Sequence, residues 1–196
     1  MNVAVINYNA GNVQSVLFAL DRLAVNAVLT DDPEVIRTAD KVIFPGVGEA
    51  KTTMEYLRKT GLDEVIKSLQ QPVLGICLGM HLLCEHSEEG DTTCLGIIPL
   101  RVKKFETADA SQKIPQMGWN TIENLQGALF DKALEGQYTY FVHSYYVERG
   151  AFTVAETDYI LPFSSALQKD NFYATQFHPE KSGKVGEQIL TNFIKL

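Results

Sequence analysis

Two short segments carry the residue types of nucleophilic catalysis. In GICLG (residues 75–79) a cysteine, Cys77, stands between two glycines. This is the G-x-nucleophile-x-G elbow with Cys in the place of Ser, in which small flanking residues let the chain turn sharply and present the nucleophile at the edge of a sheet. A helix beginning after Cys77 directs its partial positive charge at the thiol, which suits a nucleophilic sulfur. The second segment is QFHPE (176–180). If it is extended, His178 and Glu180 point to the same side, because side chains alternate along a strand. Glu180 can then orient the imidazole while His178 serves as base to the thiol. Nucleophile, base and orienting acid follow in the chain order Cys77, His178, Glu180, a triad arrangement that recurs on unrelated folds. Negative charge developing on a tetrahedral intermediate needs donors as well. The backbone N–H of Leu78 and an N–H within Val47–Gly48, in the PGVG turn at 45–48, are placed to converge on such an oxyanion.

Other chemistries fit these residues less well. A free cysteine is commonly an inert buried small hydrophobe, but the glycine elbow together with QFHPE favours a nucleophile. His143, inside an aromatic strand, reads as a structural histidine rather than a second base. Cys77, His81 and Cys84 fall at i, i+4 and i+7, yet metal ligands normally come from separate elements or close Cys pairs, so no metal is expected. Gly46-x-Gly48 has Lys51 where a dinucleotide fingerprint needs its third glycine, and no cofactor is expected.

The elements that must position these groups alternate in the first eighty residues between short β-branched runs and helical patterns, as in a parallel sheet with helices on both faces. Strands are expected at 3–7, 25–30, 41–44 and 72–76. Asn12 is a helix cap for a pattern through Val13, Val16, Leu17, Leu20 and Leu23, and 49–69 reads as helix with a break at Gly61. Beyond Gly90 the stretches 139–147, 152–157 and 171–179 read as strands of an antiparallel or mixed region, followed by a closing helix of about fourteen residues. No repeat or linker divides the chain, so residues 1–196 are read as one domain.

Composition narrows the partners. The 196 residues are 45% hydrophobic, and 17 Lys+Arg against 24 Asp+Glu give a formal net charge of -7. Without a basic cluster, nucleic acid is not an expected partner. No apolar run approaches the roughly 20 residues of a membrane helix, and no basic flank opens the chain, so a soluble, cytoplasmic protein is expected. The odd count of three cysteines, Cys77, Cys84 and Cys94, suits a reducing compartment.

PGVG, GICLGM, FVHSYY and QFHPEKSG, in this order, resemble the class I (triad) glutamine amidotransferases. With PQMGWN (115–120), the chain is similar to their glutaminase subunits in imidazole glycerol phosphate synthases, over essentially its whole length. The resemblance implies a flavodoxin-like three-layer α/β sandwich with a mixed, mainly parallel central sheet. It implies L-glutamine as substrate, attack by Cys77 on the side-chain carboxamide to form a γ-glutamyl thioester, and His178 protonating the departing ammonia before activating water. By the same similarity Glu89, Ser144 and Tyr145 contact the amino-acid end of glutamine, and Val47, Gly48 and Leu78 face its reacting carbonyl. The implied partner is a (β/α)₈-barrel cyclase subunit in a heterodimer. It would use the ammonia to convert N'-phosphoribulosylformimino-AICAR phosphate (PRFAR) to imidazole glycerol phosphate and AICAR in histidine biosynthesis. Trp119, Asn120, Tyr140 and Lys181 match the interface positions of that pair. One departure stands out: the family has Gln after LGM, where this chain has His81, which bears on the glutamine pocket. The alternatives are a glutaminase subunit serving another synthesis, a catalytically silent binding module, and a cysteine peptidase on the same fold.

Overall fold

A computed structural model describes residues 1–8 and 13–196; the Asn12 cap lies outside the described residues. The first half runs β1 (Asn2–Ile6), α1 (Val13–Arg22), β2 (Asn26–Thr30), α2 (Pro33–Thr38), β3 (Lys41–Phe44), α3 (Ala50–Thr60), α4 (Leu62–Ser68), β4 (Val73–Ile76) and α5 (Leu78–Leu83). The second half contains β5 (Cys84–Ser87), β6 (Thr92–Thr93), β7 (Ile98–Lys104), β8 (Gln116–Thr121), β9 (Tyr138–His143), β10 (Tyr145–Val147), β11 (Thr153–Asp158), β12 (Pro162–Lys169), β13 (Phe172–Thr175) and α6 (Gly183–Lys195).

The large sheet is mixed, in the order β2-β1-β3-β4-β13-β12-β10-β7-β5-β6, with β11 paired to β12. Its first five strands are parallel, and the turn to antiparallel pairing comes at β13–β12. Successive residues of β1, β3 and β4 feed opposite faces, as the two-residue period of a strand requires. Ala4, Ile6, Val42, Phe44 and Val73 pack with residues of α2, α3, α4 and α5. Val3, Val5, Ile43 and Leu74 pack with Val16, Ala19 and Leu20 of α1 and with Leu190 and Phe193 of α6. The result is a three-layer, flavodoxin-like sandwich, and strands buried on both faces account for the near-continuous apolar runs of the sequence. Gly61, at φ +74°, ends α3 and starts α4, as the sequence pattern indicates.

Three local expectations are corrected. Helix α2 was not anticipated; Pro33 opens it and the Asp32 side chain accepts from the Glu34 N–H at 2.8 Å, but six residues are too few for a periodicity to register. The run 139–147 is not one strand. It breaks at Ser144: β9 pairs with β8 in a separate two-stranded ribbon, whereas β10 joins β7 and β12 in the large sheet. Likewise 171–179 leaves the sheet after Thr175, and Pro179–Lys181 form a 3₁₀ turn.

Ribbon β8–β9 covers a third, aromatic core containing Phe105, Phe141, Phe163 and Phe177. Its inward side chains are Thr139, Phe141 and His143. Met117, Trp119 and Tyr138 face out, 66%, 56% and 59% exposed.

Candidate active site

The carboxyl ends of the adjacent parallel strands β3, β4 and β13 bring together the PGVG turn, Cys77 and the QFHPE segment, the location where open α/β sheets bind ligands. Cys77 leaves β4 at φ 53° and ψ −106°, a conformation that costs a non-glycine residue of order 1–3 kcal/mol and persists only where the surroundings enforce it. The flanking glycines permit the enforcement. A Cβ on Gly79 would collide with the carbonyl of Phe44, and one on Gly75 would lie 2.8 Å from Leu83 Cδ1. Thus α5 packs directly against the ends of β3 and β4, and its first residue follows the thiol.

His178 Nδ1 lies 2.8 Å from Glu180 Oε1, with both side chains 2% exposed. The sequence reasoning placed this pair by strand alternation; the structure places it through the 3₁₀ turn, which carries Glu180 back beneath the ring. The histidine is held from both sides. Its backbone N–H donates to Tyr140 O at 2.9 Å, and its carbonyl accepts from Ser182 Oγ, which in turn accepts from the Tyr140 N–H. Burial disfavours the charged ring, but charge attraction from Cys77 and Glu180 and the Glu180 hydrogen bond outweigh it and raise the pKa to about 10. His178 Nε2 and Glu180 Oε2 are buried without hydrogen-bond partners among the described residues. An acid–base group at rest commonly awaits its partner in this way.

Cys77, 8% exposed, donates from Sγ to Val142 O at 3.9 Å and receives Gln176 Nε2 at 3.9 Å. It opens on a cleft of about 340 Å³ whose walls include Val47, Gly48, Leu78, His81, Glu89, Ser144 and Tyr145. Every glutamine-site and oxyanion residue expected from the sequence is therefore on this cleft. Their states differ. Glu89 accepts the Ala50 N–H on Oε2 at 2.8 Å; burial raises its pKa, against the pull of that N–H. His81 is 4% exposed, and its Nε2 is 2.8 Å from Gln176 Oε1. Burial lowers its pKa to about 4, partly offset by Gln176. The Leu78 N–H donates to Gly46 O at 3.4 Å, a long bond that occupies one of the donors expected for an oxyanion. Gly48 holds φ +131°.

His143 is tied on both nitrogens, Nδ1 to Tyr145 O at 2.7 Å and Nε2 to Gln116 Oε1 at 2.9 Å. Burial brings its pKa down to about 3, so it is a neutral structural histidine. Cys84 and Cys94 are buried; burial pushes the first well above its ordinary pKa and the second to about 12. Among the described residues no group of three or more His, Cys, Asp and Glu is disposed to hold a metal ion, and no helix is long and apolar enough to cross a membrane.

Of the expected interface residues, Trp119 and Tyr140 are directly paired across the ribbon, with ring centroids 5.9 Å apart. Asn120 points to the other face, where its amide donates to Asp158 O at 2.9 Å. Lys181 closes the turn that carries Glu180. Met117 and Tyr138, exposed on the Trp119 face, were missed, although strand alternation alone would group them. Gln176 and Val142, the contacts of the thiol, were also missed.

A strained cysteine elbow at the carboxyl end of β4, near a buried His–Glu pair, is a candidate cysteine-nucleophile site on a flavodoxin-like fold. Solved structures share that fold at low identity: a putative GMP synthase component from Thermoplasma acidophilum (TM-score 0.74, 18% identity, covering 100% of this chain and 92% of that one) and a glutamine amidotransferase from Thermotoga maritima (TM-score 0.67, 16% identity, 100% and 83%). The family described as "Glutamine amidotransferase class-I" matches residues 4–196, and the chain belongs to it. Within the family it is 61% identical over 196 residues, covering all of both chains, to the "Imidazole glycerol phosphate synthase subunit HisH" of Bacteroides thetaiotaomicron. It is 45% identical to the protein so described in Idiomarina loihiensis, over 100% of this chain and 98% of that one.

Proposed function

We propose that this chain is the glutamine-hydrolysing subunit of an imidazole glycerol phosphate synthase, acting as one domain over residues 1–196. The observation that carries the catalytic reading is the buried 2.8 Å His178–Glu180 pair set beside the strained Cys77 elbow. His178, whose raised pKa favours the protonated ring, holds the proton given up by the Cys77 thiol, and the freed sulfur attacks the side-chain carbonyl of L-glutamine. Collapse of the tetrahedral intermediate forms the γ-glutamyl thioester, and His178 returns the proton to the leaving nitrogen, releasing ammonia. The neutral ring then takes a proton from water, whose oxygen attacks the thioester, giving glutamate and restoring the free sulfur beside the protonated ring. Glu180 keeps the imidazole in one orientation throughout. Glu89, Ser144 and Tyr145 line the part of the cleft suited to the amino-acid end of glutamine, with His81 below it and Gly48 toward the reacting carbonyl.

The oxyanion donors suggest a resting state. The Leu78 N–H is engaged by Gly46 O at 3.4 Å, so stabilising an oxyanion requires that carbonyl to turn away. The glycines of PGVG make such a rotation accessible, and it would bring a Val47 or Gly48 N–H toward the substrate. In this account the glutaminase is slow until its partner docks. Trp119 and Tyr140, extended by Met117 and Tyr138, supply an exposed aromatic face of the composition typical of interface anchors. Lys181 flanks the triad; Asn120 supports the ribbon from behind. The partner is a (β/α)₈-barrel cyclase subunit in a cytoplasmic heterodimer, to which ammonia passes without entering bulk water. Docking on β9 would reach the chemistry directly, since Tyr140 O and Val142 O hold His178 and Cys77.

The test supplies glutamine labelled at its amide nitrogen to the chain together with PRFAR and the cyclase subunit. Label in imidazole glycerol phosphate, undiluted by unlabelled ammonia in the buffer, is the expected result. Labelled ammonia that escapes to solvent, or an acceptor other than PRFAR, would point to a different synthesis.

A further inference from the structure

Gln176 is fully buried, and no step above uses its side chain. Both ends of its amide are engaged: Oε1 lies 2.8 Å from His81 Nε2, and Nε2 lies 3.9 Å from Cys77 Sγ. The direction of the amide decides whether the sulfur meets a donor or an acceptor. A neutral imidazole carries one N–H. With that hydrogen on His81 Nε2, Gln176 Oε1 must accept, which leaves the NH₂ for the sulfur. The reverse orientation would aim a carbonyl oxygen at a sulfur that already faces one acceptor, Val142 O at 3.9 Å. In the thiol form the two contacts are complementary, since S–H donates to Val142 and N–H donates to S. Once the proton passes to His178, the Val142 carbonyl opposes the negative sulfur, and the Gln176 NH₂ becomes its compensating donor.

Taking Cys77 as the nucleophile proposed above, we propose that Gln176 is a positioning residue that holds the attacking sulfur through its NH₂, and that His81 is the latch fixing the direction of that amide. His81 thereby acts on the nucleophile from beneath the cleft, rather than on bound glutamine as the family position implies.

The experiment measures the rate at which iodoacetamide alkylates Cys77 at pH 7, by mass spectrometry of the elbow peptide, in the wild type, Gln176→Met, His81→Phe and the double variant. Buried Cys84 and Cys94 report folding by staying unmodified. Loss of a hydrogen bond to a charged acceptor predicts about a tenfold slower alkylation in each single variant. The double variant should be no slower than Gln176→Met, because His81 works only through Gln176. His81→Gln, whose amide N–H can reach the same oxygen, should recover the rate to within about threefold. In the active complex kcat falls with KM for glutamine unchanged. Folded variants that alkylate at the wild-type rate, additive effects in the double variant, or a raised KM with unchanged kcat in His81→Phe would overturn the proposal. If Gln176→Met does not fold, His81→Phe and its rescue by Gln decide it. Cys77→Ala separates the two readings: turnover surviving that change refutes the nucleophile itself, whereas turnover lost, with alkylation indifferent to Gln176, refutes only the positioning role.

Discussion

Two buried neutral histidines next to the active site make the protein acid-sensitive in a way that one substitution can dissect. His81 and His143 have folded pKa values lowered by burial to about 4 and about 3, against about 6.5 in an unfolded chain. Between these limits the unfolded state binds more protons, so stability falls as the pH drops below about 6.5. At pH 5 an unfolded histidine gains about 2 kcal/mol by protonation that the buried ring forgoes, and the two together cost about 4 kcal/mol. His178 does not offset this loss. Its folded pKa is raised to about 10, so its contribution is complete below about 6.5 and flat in that range. His81→Gln removes one of the two acid-sensitive groups and keeps an amide where the ring stood. Urea unfolding followed by far-UV circular dichroism at pH 7 and pH 5 should show the wild type losing about 2 kcal/mol more than the variant over that interval. The difference between the two pH values is the readout, so any uniform effect of the substitution cancels. An identical pH dependence in wild type and variant would refute the assignment of His81 as a buried neutral ring.

Further outcomes follow from other contacts. On the alkaline side the stability due to protonated His178 is lost as the pH rises from about 6.5 through about 10; Glu180→Gln removes one of its two attractions and should flatten the urea-unfolding curve between pH 7 and pH 9. An alanine at Gly79 drives a methyl into the Phe44 carbonyl and should cost about 3 kcal/mol, lowering the thermal midpoint by about 10 °C in a calorimetric scan. Trp119→Ala removes a side chain that is 56% exposed. Folding stability should change by no more than about 0.5 kcal/mol, while calorimetric titration shows the cyclase subunit binding about 30-fold more weakly.

The parallel half of the fold, α2 excepted, was legible because its strands are apolar runs and its longer helices are apolar enough on the required side to declare their period. The limits of that legibility are equally physical. Helix α2 has cap chemistry but too few turns. The run 139–147 has a continuous strand composition, and periodicity says nothing about the change of sheet at Ser144. Cys77 could be read locally because the elbow is a property of five consecutive residues. His178 and Glu180 were paired correctly for a reason that does not hold, since a 3₁₀ turn and an extended strand both bring residues i and i+2 together here. The Trp119 face was half-read: alternation along β8 separates Asn120 from Trp119 and adds Met117. Gln176 carried no signal at all, because its reach to a sulfur 99 positions away depends on β13 lying beside β4.

The most direct test of the account measures glutamate released from glutamine by the chain alone and by the chain with PRFAR and the cyclase subunit, each repeated with Cys77→Ala. Slow release alone, strong stimulation in the complex, and loss of both in the variant are the predicted results. Release that is equally fast without the partner would contradict the resting state at Leu78 and Gly46, and release that persists in Cys77→Ala would contradict the thioester chemistry on which everything else stands.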